Sequence, residues 1–266
     1  MQDGLYDKLV DGELAKNLQD LTPDLQVLVP AESSDLIAYL AQELAGQAAK
    51  LFQQTEDDSE KIATYNRIAD IAGFSRIPEE KPSALRGLIS SSAGNKAVLE
   101  AQPSIPLSQM ALLTNAKGEP KVGSELKTEL LSADRVDILM AFVKHSGLNL
   151  LYEPLKNLRD KGVPVRLITS AYMGATDTSA IRALVEELKV SVKVDYLARA
   201  NRLHAKAWLL ERNTGFTTAF IGSSNMSLAA MSNGLEWNVR FSEAKAPELI
   251  EKVRIAFDSY WNSSDF

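Results

Sequence analysis

The chain has 266 residues, no cysteine, and only two histidines, His145 and His204. These absences exclude disulfides and thiol catalysis, and they argue against a zinc centre, which draws on cysteine and histidine ligands. They fit a reducing compartment, and a cytoplasmic location is expected. No apolar run approaches the ~20 residues of a membrane-spanning helix. The opening Met1-Gln2-Asp3-Gly4 lacks the basic and apolar regions of a secretory signal. Basic charge is in deficit, with a net charge of −6. A surface basic all round is therefore not expected, although a local basic patch is compatible with that total. No internal repeat or low-complexity segment is present.

Against this background one group of residues stands out. His204-Ala205-Lys206 is followed sixteen residues later by Gly222-Ser223-Ser224-Asn225, and then by Glu236-Trp237-Asn238. All three segments read as strands or strand ends. On a strand, residues two apart share a face, so Lys206 is expected beside His204. These side chains suit attack on a phosphodiester without a metal ion or other cofactor. An imidazole serves as nucleophile or acid, an ammonium neutralises a phosphate oxygen, and amide and hydroxyl groups donate to the others. His204, Lys206, Asn225, Ser223 and Glu236 are the candidate catalytic residues. Glu236 is expected to accept the second imidazole N–H and so to fix the ring, as carboxylates do in hydrolase triads.

Other residues are candidates for substrate contact. Arg199, Arg202 and Lys206 form a short basic strip with no acid between Ala198 and Leu210, which is what a phosphate backbone needs. The loop Ala171–Asp177, with Tyr172 and Thr176, follows a strand, where α/β proteins tend to place ligand sites. Bland roles compete for several positions. The basic strip could be an ordinary solvated loop. Ser223 could cap a helix starting near Asn225. Trp208 and Trp237 are expected to pack the core, although a tryptophan can also stack on bases. His145 has no lysine two residues on and reads as a strand-end residue.

The chain is expected to divide into a mainly helical region, 1–104, and an α/β domain, 105–266. In the first, Leu36, Leu40, Leu44 and Leu51 recur at helical spacing after Ser33-Ser34-Asp35. Ile62, Tyr65, Ile68 and Ile71 follow the same period up to Gly73. Residues 82–89 suggest a short helix, and 102–107 a linker. From Gly123 onward helices and strands alternate. Helices are expected over 124–132, 148–161, 177–188 (capped near Thr176 or Asp177) and 246–260. Strands are expected over 136–143, 163–169, 190–196, 203–210, 217–221 and 235–241. This is an α/β pattern with a mixed central sheet flanked by helices.

The motif resembles that of the phospholipase D superfamily: His-x-Lys, four residues, Asp, then Gly-Ser-x-Asn. The spacing matches here, with Glu236 eleven residues past Asn225 and with Glu211 at the position of the motif's Asp. In that superfamily the acid is mostly structural. Further segments are similar to the phospholipase D-like nuclease domain at the N-terminus of large bacterial superfamily II helicases. They are Val122–Leu126, Ser132–Asp137, Tyr172–Asp177, Arg202–Trp208 and Gly234–Val239, and more loosely the opening Gly4-Leu5-Tyr6-Asp7. The likeness covers roughly residues 105–262. It implies cleavage of DNA, or RNA by the same chemistry, through a phosphohistidine on His204. It implies that a helicase domain follows near Tyr260-Trp261. It also implies a homodimer, since such sites use two motifs meeting at a twofold axis and this chain has one. Two other readings fit the same residues. One is a lipid-active phospholipase or phosphatidyltransferase, against which no basic amphipathic stretch or lipid anchor motif is found. The other is a nucleic-acid-binding or dimerisation module that keeps the motif as a phosphate clamp.

Overall fold

The structure is a computed structural model that describes residues 10–19, 28, 33–86, 102–196 and 203–263. The chain forms two compact units, residues 1–85 and 86–266. The opening Gly4-Leu5-Tyr6-Asp7, together with Arg199 and Arg202, lies outside the described residues.

In the first unit, α1 spans Gly12–Gln19, α2 Ser33–Gln54 and α3 Asp58–Ala72. The N-terminus of α3 is capped by Asp57, whose carboxylate accepts from the Ser59 backbone N–H. The helix ends just before Gly73, as its sequence period suggests. The apolar periodicity forecasts the helices better than their burial: Leu40 and Leu44 of α2 are exposed, and so is Ile71 of α3. The anchor in α3 is polar instead. The buried Asn66 side chain donates to Ile77 O (2.9 Å) and accepts from Ile77 N (2.8 Å). Residues 82–86 are not helical, so a helix over 82–89 is not formed there, and 87–89 lie outside the described residues.

The second unit is built on one seven-stranded mixed sheet. Its strands are β1 (Ala111–Leu113), β2 (Arg135–Met140), β3 (Val165–Ser170), β4 (Ser191–Asp195), β5 (Lys206–Glu211), β6 (Thr218–Gly222) and β7 (Asn238–Ser242). The spatial order is β1-β7-β6-β5-β2-β3-β4. β2, β3 and β4 run parallel, while all the other pairings are antiparallel. The parallel strands are joined through helices, as that geometry requires. These are α5 (His145–Asp160) and α6 (Thr178–Arg182), the latter continued by a π-helical turn, Ala183–Glu187. α4 (Val122–Glu129), α7 (Leu228–Ser232) and α8 (Pro247–Asn262) complete the helical layers.

Strand alternation assigns the two faces of the sheet. Val136, Ile138 and Met140 of β2 join a large core with Leu148, Leu151, Leu155 and Leu158, which recur along one side of α5. On the other face Leu139 packs with Ile168 and Phe257, and Leu209 with Ala219 and Ile250, beneath α8. That face also buries Asp137, held by Arg166 through Nε (2.6 Å) and Nη2 (2.8 Å). The Arg166 guanidinium lies over the Phe257 and Trp261 rings of α8, 4.8 and 5.1 Å from their centroids.

Three strand ends differ from the sequence reading by three residues, and all three lie where side chains of the motif sit. One is the start of β5, at Lys206 rather than at 203. β2 stops at Met140 rather than at 143. Beyond it, residues 142–144 run alongside Met226, with hydrogen bonds from Met226 N to Phe142 O (3.3 Å) and from Lys144 N to Met226 O (2.8 Å). Close approach is built into this crossing, because a Cβ on Gly147 would fall 2.3 Å from the Met226 carbonyl carbon. Likewise β7 begins at Asn238, leaving Glu236 and Trp237 ahead of the strand.

Candidate active site

The motif residues gather at one end of three interior strands, where β5 begins, β6 ends and β7 begins. Lys206 is the first residue of β5, and His204 lies just before it. The Lys206 side chain folds back over its own segment. Its Nζ donates to His204 O (2.7 Å) and sits 3.2 Å from Nδ1 and 3.1 Å from Nε2 of the imidazole. Lys206 is buried while His204 is exposed. The ammonium therefore lies beneath a ring that faces solvent. Burial pushes the Lys206 ammonium below the usual lysine range, and the Glu236 charge works against that shift.

Gly222 closes β6 opposite Asn238. A Cβ there would come 2.2 Å from Trp237 O and 2.6 Å from Asn238 Cα, so the position admits only glycine without displacing β7. Beyond Gly222 the two segments stay joined. Ser223 N donates to Trp237 O (3.0 Å), and Trp237 N donates to Ser223 Oγ (3.0 Å). The Ser223 hydroxyl donates in turn to the Glu236 carboxylate. Glu236 therefore takes the serine hydroxyl where the sequence reading had it take the imidazole. The local reason is that the 236–237 segment lies directly across from Ser223.

Asn225 is placed by the crossing described above. Its Oδ1 accepts from Phe142 N (3.2 Å), which leaves Nδ2 as the donor. The helix that follows starts at Leu228 and is capped by the Ser227 hydroxyl, which accepts from Ala230 N (3.3 Å). Ser223 is thus not a helix cap. Ser224, between the two motif positions, is buried and structural: it donates to Ala230 O (3.1 Å) and accepts from Asn238 Nδ2 (2.8 Å).

Other candidates fare differently. The Thr176 hydroxyl donates to Ser170 O (2.7 Å) and accepts from Val143 N (3.3 Å), so it braces the loop instead of facing a ligand. Asp177 precedes α6 but makes no capping bond with its side chain. It accepts from His145 N (2.9 Å) and Lys144 Nζ (3.0 Å), and these donors, the backbone one first, hold its carboxyl below the usual range. Tyr172 opens the short turn Tyr172–Gly174 after β3 and is half-buried. His145 is exposed at the start of α5. Trp208 packs the core, whereas Trp237 is 69% exposed, contrary to a packing role.

Glu211 ends β5, about 17 Å along the strand from Lys206 at 3.3–3.4 Å per residue. It pairs there with Arg254 of α8 (3.2 Å). Near that end lies a cluster with no local sequence signal. The fully buried Glu129 accepts from Arg240 Nε (2.6 Å), Arg212 Nη2 (3.1 Å) and the Thr218 hydroxyl (2.5 Å). Burial pushes the Arg212 guanidinium below the usual arginine range, against the pull of Glu129.

A family model described as "Cardiolipin synthase, PLD-like domain" matches residues 126–261, a little over half of the chain. No curated protein matches it. Among solved structures, NucT from Helicobacter pylori is similar at 18% identity, with a TM-score of 0.46, over 57% of this chain and 94% of that one. The phospholipase D family member Nuc from Salmonella typhimurium is similar at 19% identity, with a TM-score of 0.45, over 58% and 94%. The archaeal chromatin protein TrmBL2 is similar at 12% identity, with a TM-score of 0.38, over 85% and 68%.

Proposed function

The chain belongs to the phospholipase D-like domain family, and from that membership we propose that it hydrolyses phosphodiester bonds of nucleic acid, DNA in the first place. The observation that carries this reading is the Lys206 ammonium within 3.2 Å of both imidazole nitrogens of His204. Asn225 and the Ser223–Glu236 pair lie on adjoining strand ends. A cation beneath an exposed imidazole neutralises a phosphate oxygen at the point where the ring attacks.

In the proposed reaction a His204 nitrogen attacks phosphorus. The N–P bond forms as the bond to the leaving oxygen breaks, and an acid delivers a proton to that oxygen. Water then attacks phosphorus, giving its proton to the conjugate base of that acid, and the N–P bond breaks. The lysine ammonium and the Asn225 amide hold the non-bridging oxygens through both steps. One copy of the motif supplies one imidazole. The acid is therefore assigned to the partner subunit's His204 in a twofold homodimer, the commonest closed assembly. The proposed reaction needs no metal ion. By its resemblance to helicase-linked nuclease domains, the chain is assigned to a larger helicase protein acting in DNA repair or restriction.

The test is incubation of the full chain with labelled DNA in EDTA, beside His204→Ala and His145→Ala, with sedimentation of the same samples. The expected result is cleavage by a dimer, abolished in His204→Ala and largely kept in His145→Ala. An absolute magnesium requirement, or activity in a strict monomer, overturns the mechanism. Binding without cleavage that is unaffected by His204→Ala favours the phosphate-clamp reading.

A further inference from the structure

Of the three tryptophans in the chain, Trp208 is buried and Trp261 stacks on Phe257 with ring centroids 6.0 Å apart. Trp237 alone stands mainly in solvent. It follows Glu236 directly, and both its backbone N–H and its carbonyl are tied to Ser223. The ring is thus carried on a main chain pinned to Ser223 through both of its backbone groups, beside the Ser223–Glu236 pair of the candidate site. Leu235 beside it is 94% exposed. A single exposed apolar residue needs no explanation, but an exposed indole on a pinned main chain at the rim of the candidate site is a stacking surface.

We infer that Trp237 stacks on a nucleobase adjoining the scissile phosphate and that the substrate is accordingly single-stranded. This rests on the phosphodiesterase reading above. A base in a duplex already has both faces covered and would first have to be extruded at the cost of its stacking and pairing, whereas a base in a single strand offers a face without that cost. Because every base has such a face, the contact selects strand form rather than sequence.

The experiment compares two oligonucleotides of equal length, one of thymidylate and one abasic with the same phosphates. Both are cleaved by the wild type, Trp237→Ala and Trp237→Phe, and each protein is sedimented. The expected result is a rise in KM of about tenfold or more for Trp237→Ala on the thymidylate strand, the scale of one lost base stack. Little change is expected on the abasic strand, with most of the loss recovered in Trp237→Phe. Quenching of tryptophan emission by the thymidylate strand should be lost in Trp237→Phe. An equal effect on both strands, or none on either, overturns the inference while leaving the nuclease reading intact. Conversion of Trp237→Ala to a monomer also overturns it, making the ring a subunit contact. A wild type that cleaves neither strand but cleaves duplex DNA overturns this inference alone, and one that cleaves no DNA overturns the nuclease reading and this inference with it.

Discussion

The carboxylate of Glu236 accepts the hydroxyl of Ser223 at the mouth of the site. The glutamate therefore acts on the lysine through its charge and on the serine through a hydrogen bond. Lys206 is drawn down by burial and pushed back up by Glu236, so the two effects can be separated by titration. In Glu236→Gln the negative charge goes, the ammonium loses support, and the lysine pKa falls further. If protonated Lys206 is required for turnover, the alkaline limb of a kcat/KM profile should move to lower pH. Ser223→Ala keeps the charge and should leave that limb in place. A limb that moves upward, or not at all, in Glu236→Gln would show that the carboxylate does not support the lysine.

A second prediction concerns the end of the sheet remote from the site. Glu129 lies between Arg212 and Arg240, with all three side chains almost wholly buried. Glu129→Gln would leave two guanidiniums without their counter-charge. Breaking a buried pair by removing one partner costs about 3–5 kcal/mol, so the denaturation midpoint in urea should fall steeply. A loss below about 1 kcal/mol, the scale of exposed pairs, would mean that solvent reaches the cluster.

The contrast between these two places explains what the sequence could tell. His204 and Lys206 are brought together by strand alternation, and Asn225 and Glu236 are legible through the spacing of the motif along the consecutive strands β5, β6 and β7. Gly73 and the leucines of α5 announce a helix end and a helix face in the same local way. Glu129 meets Arg212 and Arg240 across separations of 83 and 111 residues, and no periodicity links them. The misjudged positions are those where local regularity stops. Trp237 sits one residue ahead of β7, so strand alternation has no hold on its ring. The Thr176 hydroxyl is used up by Val143 and Ser170, segments whose meeting depends on the sheet order.

The last prediction uses the tightest point of the motif. Gly222 faces the backbone of Trp237 and Asn238 at distances that no Cβ tolerates. Gly222→Ala must therefore push the end of β6 from the start of β7. Those are the segments that carry Ser223 and Glu236, while Lys206 and His204 hang from β5. Overpacking of this kind costs about 1–3 kcal/mol, which a unit with so extensive a core should survive. Activity is expected to fall far more than stability, because the serine and glutamate move relative to the histidine and lysine. Thermal unfolding and kcat measured on the same preparation check this. A variant that unfolds at a much lower temperature yet keeps its kcat when folded would show that the glycine serves the fold and not the alignment of the site.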